Sequence, residues 1–317
     1  MTTQDLAVVI PAHNAAPFLS QTLDALAKQT VPLAQVVVVE DGSTDQTGQI
    51  ARDFEMPDGS RPYVIRNDAP QGVAAARNRG FVATDAQWVG FCDSDDLWHA
   101  NRVATILGVA RDRPEARAIA TGVHGFALES DRPALAEHPR SGMVNQWVAD
   151  EAIDELVTRA VGTDWSVTEV TLNDLQADIV FATTTVTYRR DAFAAAGGFA
   201  RWSHLADDYM LNVAIAVEAP IVLHLAPLVN YRVRANSLSH AGLNIALPYL
   251  ASNVAARFGT PTVDHAPAGH LYEHMLLNRA RHAATLRESL GFALLGGGSP
   301  RLLARVLRSK LRSLLRR

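Results

Sequence analysis

Two runs of apolar, largely β-branched residues constrain this chain most: LAVVI at 6–10 and QVVVV at 35–39. Runs that lack polar alternation are expected of strands buried on both faces of a parallel sheet. Between them, PFLSQTLDALAKQT sets Phe18, Leu19, Leu23 and Leu26 at helical spacing, and Pro17 suits a first helical turn. The three pieces make one βαβ unit. Ser43, Thr44 and Asp45 then open a second helical stretch, TDQTGQIARDF, and YVIRN at 63–67 reads as the next strand. GVAAARNRGFVA at 72–83 is expected to be a helix whose small residues permit close packing on a sheet, and WVGFC at 88–92 is a further buried strand. This order predicts an open, doubly wound α/β domain over about the first hundred residues.

Beyond Asp96 the alternation stops. A helix is expected from about 99 to 112, and AIATGVHGFALE reads as a strand. Residues 130–177 mix loop with an acidic helical piece at 149–160, as an insertion facing a substrate would. VFATTTVTYRR has strand composition, DAFAAAGGF reads as a short helix ended by glycine, DDYMLNVAIAV as a helix, and IVLHLAPLVNYRV as a strand. From about 243 the pattern is helical, broken near 257–268 and by GGGSP.

Composition removes several classes of function. The one cysteine, Cys92, excludes an internal disulfide framework and a cysteine-pair zinc site, and suits a reducing, intracellular compartment. The amino-terminal residues MTTQDLAVVIPAHN lack the basic start and long apolar stretch of a signal peptide. Nowhere do eighteen apolar residues follow one another, so no transmembrane span is expected. Arg301–Arg317 holds seven of the 29 basic residues and none of the 33 acidic ones, so the rest of the chain carries a net charge of −11. A general nucleic-acid-binding face is excluded on that balance. The tail sets Leu302, Leu303, Val306, Leu307, Leu311, Leu314 and Leu315 on one helical face and basic residues on the other. Such a helix is expected to lie on an anionic membrane surface; docking on the protein itself or on a partner subunit is the alternative.

Ligands of doubly wound sheets bind beyond the carboxyl ends of the strands. Pro11 to Asn14, Asp41 to Asp45 and Asp93 to Asp96 all fall there and are expected to cluster. Asp93, Asp95 and Asp96 repel one another, so the fold must leave them solvated or neutralise them with a cation. Oxygen donors without histidine or cysteine pairs suit a hard ion, magnesium or manganese. Asp93 and Asp95 are expected to hold it, with Asp96 capping a following helix. Asp41-Gly42-Ser43 reads locally as a turn and N-cap, while Gly72, Arg77 and Asn78 serve packing or, for Arg77, either a carboxylate pair or a diphosphate contact.

In this order and spacing, VVIPAHNAAPFL, VVVVEDGSTDQT, APQGVAAARNRG and VGFCDSDDLW resemble the successive motifs of family 2 glycosyltransferases. The resemblance is dense over the first hundred residues and weaker to about 240. It implies a GT-A-type, Rossmann-like open mixed sheet flanked by helices, with a helical C-terminal region. Residues 1–105 would form the nucleotide-sugar-binding half of the domain and 106–240 the acceptor-binding half, followed by helices at 241–317. The implied activity is inverting transfer from a nucleoside-diphosphate sugar, most commonly a UDP-sugar, to a hydroxyl of a carbohydrate or lipid-linked acceptor. Polysaccharide, glycolipid or cell-wall synthesis at the cytoplasmic face of the membrane would be the setting.

By the same resemblance, Pro11, Ala12, His13 and Asn14 lie beside the base, Asp41 contacts base or ribose, and Asp93, Ser94 and Asp95 face a donor diphosphate bridged by Mn2+ or Mg2+, with Asp95 and then Asp93 as metal ligands. GGFARWSHLADDYMLNVA resembles the segment in which Gly-Gly-Phe precedes an acidic pair at a helix start. Asp208 matches the base, Asp207 replaces the commoner glutamate, and Trp202 could stack on an acceptor sugar. In YRVRANSLSH, Arg234 stands where many relatives carry a histidine; its guanidinium cannot ligate a cation but can bind diphosphate oxygens. His224 and His240 receive no role.

Rival readings fit less well. A phosphotransferase using Asp93 as nucleophile would carry Thr or Val where Leu97 stands, PAHNAA is not the glycine-rich basic loop of a nucleotidyltransferase, and no Gly-x-Gly-x-x-Gly follows a strand. A non-catalytic carbohydrate-binding or scaffolding relative should lack a base or a metal ligand.

Overall fold

β1 (Leu6–Ala12) lies in the interior of the sheet, with every residue buried. The chain continues through α1 (Leu19–Ala27), β2 (Gln35–Asp41), α2 (Thr47–Asp53), β3 (Tyr63–Asn67), α3 (Val73–Val82) and β4 (Trp88–Phe91). β2 and β4 flank β1 in parallel, with Val9 opposite both Val37 and Phe91, and β3 adds in parallel outside β2. These are the four strands expected from the apolar runs. The computed structural model describes residues 5–136, 141–177, 181–199 and 207–235. Trp202, His240 and the basic tail at 301–317 lie outside these residues.

β5 (Leu97–Trp98), α4 (Arg102–Asp112), β6 (Ala118–Leu128), α5 (Arg132–Leu135), β7 (Gln146–Val148), α6 (Ile153–Thr158) and β8 (Val167–Val170) follow. After α7 (Leu172–Ala177) come β9 (Val186–Arg189), α8 (Arg190–Ala195), α9 (Asp207–Glu218) and β10 (Ile221–Arg232). The sheet order is β3-β2-β1-β4-β9-β6-β10-β5, with β7 beside β6 and β8 beside β10. β9 runs antiparallel between β4 and β6, β10 is parallel to β6, and β5 is antiparallel to β10. The result is an open mixed sheet. Residues 1–171 and 180–237 form one compact unit, and 172–179 with 238–317 a second, in which α7 is the element described.

Two local expectations need correction. The strand expected over VFATTTVTYRR is confined to Val186–Arg189, because Thr183–Thr185 fold into a buried 3-10 turn in which the Thr185 hydroxyl bonds the Ala182 carbonyl at 2.7 Å. The helix expected from 99 begins at Arg102, since Leu97 and Trp98 pair with Asn230 and Val229 of β10. The acidic piece at 149–160 is helical as expected, a 3-10 turn, Asp150–Ala152, leading into α6.

The main core joins Leu6, Val8 and Ile10 of β1 to Leu19, Leu23 and Leu26 of α1 and to Trp98, Val103 and Ile106 beyond β4. Phe18, expected on the same face of α1, is only partly buried. On the opposite face α3 packs through Gly80, where an added Cβ would sit 2.2 Å from Val9 Cγ1. Alanine is the better helix former, yet Gly80→Ala should destabilise the protein by about 1–3 kcal/mol, because the strand beneath cannot recede without unpacking β1. A thermal melt equal to or above that of the parent would refute this. Among the described residues no helix is long and apolar enough to cross a membrane.

Candidate active site

The carboxyl ends of β1, β2 and β4 converge as expected. Pro11 and Ala12 are not loop residues, however: they pair with Val39 and Glu40 inside the sheet, with buried side chains. The exposed loop begins at His13 and Asn14. Asn14 adopts φ 49°, the one non-glycine residue with positive φ among those described. Its backbone N–H donates to Ser43 Oγ at 3.0 Å, and its side-chain oxygen accepts from the Thr44 N–H at 2.9 Å. His13 Nδ1 lies 2.7 Å from the Asp41 carbonyl. These bonds tie the first loop to the second.

Asp41 is buried and fully engaged. Oδ1 accepts from Asn67 Nδ2 at 2.6 Å and Gln71 N at 2.8 Å, while Oδ2 accepts from Gly72 N at 2.9 Å. Its local work is therefore to hold the loop between β3 and α3. Gly42 is required beside it: φ is 67°, and a Cβ would lie 2.6 Å from Pro70 N. Glu40, also buried, pairs with Arg66.

The three aspartates after β4 are each met by an arginine or its backbone. Arg77, buried on α3, donates from Nη2 to Asp93 Oδ1 at 2.7 Å and from Nη1 to Asp207 Oδ2 at 3.0 Å. It bridges the end of β4 to the start of α9. Burial pulls its guanidinium pKa down, but the charges of Asp93, Asp207 and Asp208 outweigh this and leave it above its ordinary value. Arg234 pairs with Asp95 Oδ2 at 2.5 Å and stacks on Phe18, 4.4 Å from the ring centroid. Burial lifts the Asp95 carboxyl above the usual range, with Arg234 opposing and Asp93 adding to the rise.

Asp96 caps no helix. The residues after it form β5, so its Oδ1 accepts the backbone N–H of Arg232 at 2.9 Å, and burial raises its pKa well above the ordinary value. Arg232 also donates to the Asp95 carbonyl at 2.8 Å and to Gln21 at 2.7 Å. Sequence reasoning assigned Arg234 and passed over Arg232, although both stand in YRVR.

Asp207 and Asp208 occupy the first turn of α9, where the helix dipole favours acidic side chains. They face different partners. Asp207 is committed to Arg77, whereas Asp208 Oδ2 accepts from Thr183 Oγ1 at 2.6 Å and Oδ1 from Tyr209 N at 2.7 Å. Burial and then the charge of Asp207 raise the Asp208 carboxyl, and the Thr183 bond partly offsets the rise. Thr183 was not foreseen, and its turn is anchored by Arg102, buried against Trp98, which donates to Thr185 O at 2.9 Å. Asn78 clamps the Gly-Gly-Phe segment, donating to Phe199 O at 2.8 Å and accepting Phe199 N–H at 2.9 Å. That settles its packing role. His224 Nδ1 accepts the Ala226 N–H at 3.3 Å in the bulge of β10, apart from these residues.

Asp93 Oδ2 and Asp95 Oδ1 accept no hydrogen bond among the described residues, so each carboxylate keeps one oxygen for a hard cation. No set of three or more His, Cys, Asp or Glu gathers as a metal site among those residues. A two-carboxylate share with phosphate and water completing the shell is the pattern magnesium favours. The residues therefore fit the ion.

Residues 7–152 match the family model described as Glycosyl transferase family 2. The architecture is that of GT-A glycosyltransferase structures, a mixed open sheet flanked by helices. The chain is similar to Staphylococcus aureus TarS 1-349 solved with UDP-GlcNAc, at TM-score 0.67 and 16% identity over 98% of this chain and 89% of that one. It is also similar to the mannosyltransferase PcManGT of Pyrobaculum calidifontis solved with GDP-Man and Mn2+, at TM-score 0.52 and 17% identity over 98% and 87%. Among curated proteins, validoxylamine A glucosyltransferase of Streptomyces hygroscopicus subsp. jinggangensis is 33% identical over 151 residues, 47% of this chain and 34% of that protein. The chain spans under half the length of such curated relatives.

Proposed function

We propose that the protein transfers a sugar from a nucleoside-diphosphate sugar, a UDP-sugar in the first instance, to an acceptor hydroxyl with inversion at the anomeric carbon. One observation carries the reading: Arg77 joins Asp93, of a carboxylate pair suited to a divalent ion, to the acidic start of α9 that presents Asp208. The family match over 7–152 and the nucleotide-sugar complexes of the structural neighbours support it.

In this mechanism Asp95 and Asp93 would hold Mn2+ or Mg2+, which supplies positive charge against the leaving nucleoside diphosphate. His13, Asn14 and the Asp41–Ser43 turn border the nucleotide, and Ser94 and Arg234 face the diphosphate. The Asp208 carboxylate takes the acceptor hydroxyl proton as that oxygen forms its bond to the anomeric carbon and the bond from that carbon to the diphosphate breaks on the opposite side. Asp207 acts through Arg77, keeping α9 in register with β4. The acceptor class is carbohydrate or lipid-linked hydroxyl.

Incubation with UDP-, dTDP- and GDP-sugars with and without Mn2+, reading nucleotide release and product configuration by NMR, tests the proposal. Metal-dependent turnover with an inverted product supports it. No turnover together with no metal-dependent nucleotide binding would return the chain to a non-catalytic sugar-binding role.

The base must be ionised to work, so the raised Asp208 pKa places the acid limb of the kcat/KM profile above the ordinary aspartate value of 3.8. Thr183→Val removes a bond that favours the charged form, so the limb should move to higher pH. An unmoved limb would detach Thr183 from the base.

A further inference from the structure

Asp95 already has a cation. Its Oδ2 is paired with Arg234 at 2.5 Å, the guanidinium of Arg234 lies against Phe18, and its Nε finds no partner among the described residues. Arg232, beside it, donates to the Asp95 backbone and also packs near Phe18, at 5.2 Å. Two positive side chains thus border the carboxylate that a divalent ion needs, while the other carboxylate of the pair is held by Arg77. Oδ1 of Asp95 is left to a metal, but Oδ2 is committed to a guanidinium, and like charges a few ångströms apart in a partly buried site repel strongly.

We infer that Arg234 is a resident counter-cation whose charge a divalent ion must overcome at Asp95, so that this arginine sets the metal affinity of the site. The inference deepens the proposed function and rests on its assignment of Asp95 as a metal ligand. Before the ion arrives, the Arg234 pair keeps Asp95 neutralised in a half-closed environment. An ion on Oδ1 would weaken that pair by repulsion, and the guanidinium, at the carboxyl end of β10 next to Asp95, would become free to bind an anionic group of the donor. The same residue therefore weakens the binding of metal alone and favours its binding together with a diphosphate.

Mn2+ binding to the full chain without nucleotide, read by EPR of free Mn2+ or by calorimetry, is the test. Arg234→Gln should tighten Mn2+ about tenfold, because one positive charge is removed from beside the ligand. Arg234→Lys keeps the charge and should stay near the parent. Phe18→Leu, which removes the surface that steadies the guanidinium, should tighten Mn2+ by a smaller factor and decides the matter if Arg234→Gln does not fold. Unchanged or weaker Mn2+ binding in Arg234→Gln, with binding lost in Asp95→Asn, overturns the inference alone. Unchanged binding in Asp95→Asn overturns the metal assignment and the inference with it.

Discussion

Asp208→Asn is expected to lower sugar transfer by about 100- to 10,000-fold, the range ascribed to a general base, while donor affinity stays within about twofold of the parent. The amide fills the same space and can still meet Thr183 and the Tyr209 N–H, but it cannot accept the acceptor proton. Donor binding is spared because the contacts of Asp208 lie on α9 and the 183–185 turn, not on Asp93, Asp95 or the loops after β1 and β2. Stability gives a second readout of opposite sign. A carboxyl whose folded pKa is raised favours the protonated, neutral form in the native state, so its contribution to stability falls as pH rises from the unfolded value through the folded one. At neutral pH the charged Asp208 is therefore a cost to the fold, and Asp208→Asn should melt no lower than the parent. Steady-state kinetics, donor titration and a melt at pH 7 check the three parts together. Retained transfer would remove Asp208 from the chemistry; lost transfer with a lower melting temperature would make its role structural.

How much of this could be read from the sequence depends on how local the cause was. β1, β2 and β4 are buried on both faces, which removes polar alternation and leaves apolar runs that a short window shows, whereas β3, at the sheet edge, is largely exposed or half-buried and shows only a short strand-like composition. β5 escaped because it is two residues long and exists only through its pairing with β10 much later in the chain. Thr183–Thr185 misled because β-branched threonines favour strands, while buried hydroxyls also satisfy a turn locally. The candidate site shows the same division. Asp93, Asp95, Asp207 and Asp208 were visible as clusters of like charge and a carboxylate pair was one of the two roles read for Arg77, but which aspartates it joins was not visible, nor that Arg232 and Arg234 reach Asp95 from the far end of β10. A cluster of carboxylates announces that a cation is needed without saying whether the fold supplies it. Here it supplies one to Asp93 and one to Asp95, so the ion proposed at this pair would enter beside resident positive charge rather than fill an empty one.

Arg77→Met should be the most destabilising single change in the site. It leaves Asp207, which is buried, without the guanidinium at 3.0 Å, and Asp93 without the one at 2.7 Å. Breaking a buried ion pair by removing one partner costs about 3–5 kcal/mol, because the remaining charge stays desolvated. The Asp93 share is to be discounted, since its side chain is 31% exposed and water screens it, so the estimate rests mainly on Asp207. For a domain of this size about 3 kcal/mol corresponds to a melting temperature lower by roughly 6–12 °C. Arg77→Lys should recover only part of the loss: a single ammonium cannot span both carboxylates as the planar fork does. The decisive comparison is the double variant Arg77→Met with Asp207→Asn, which should melt above Arg77→Met alone, because the second change neutralises the charge that the first stranded. If the two losses simply add, the pair is not what joins β4 to α9, and Arg77 would then be freed for the diphosphate contact that its sequence position also allows.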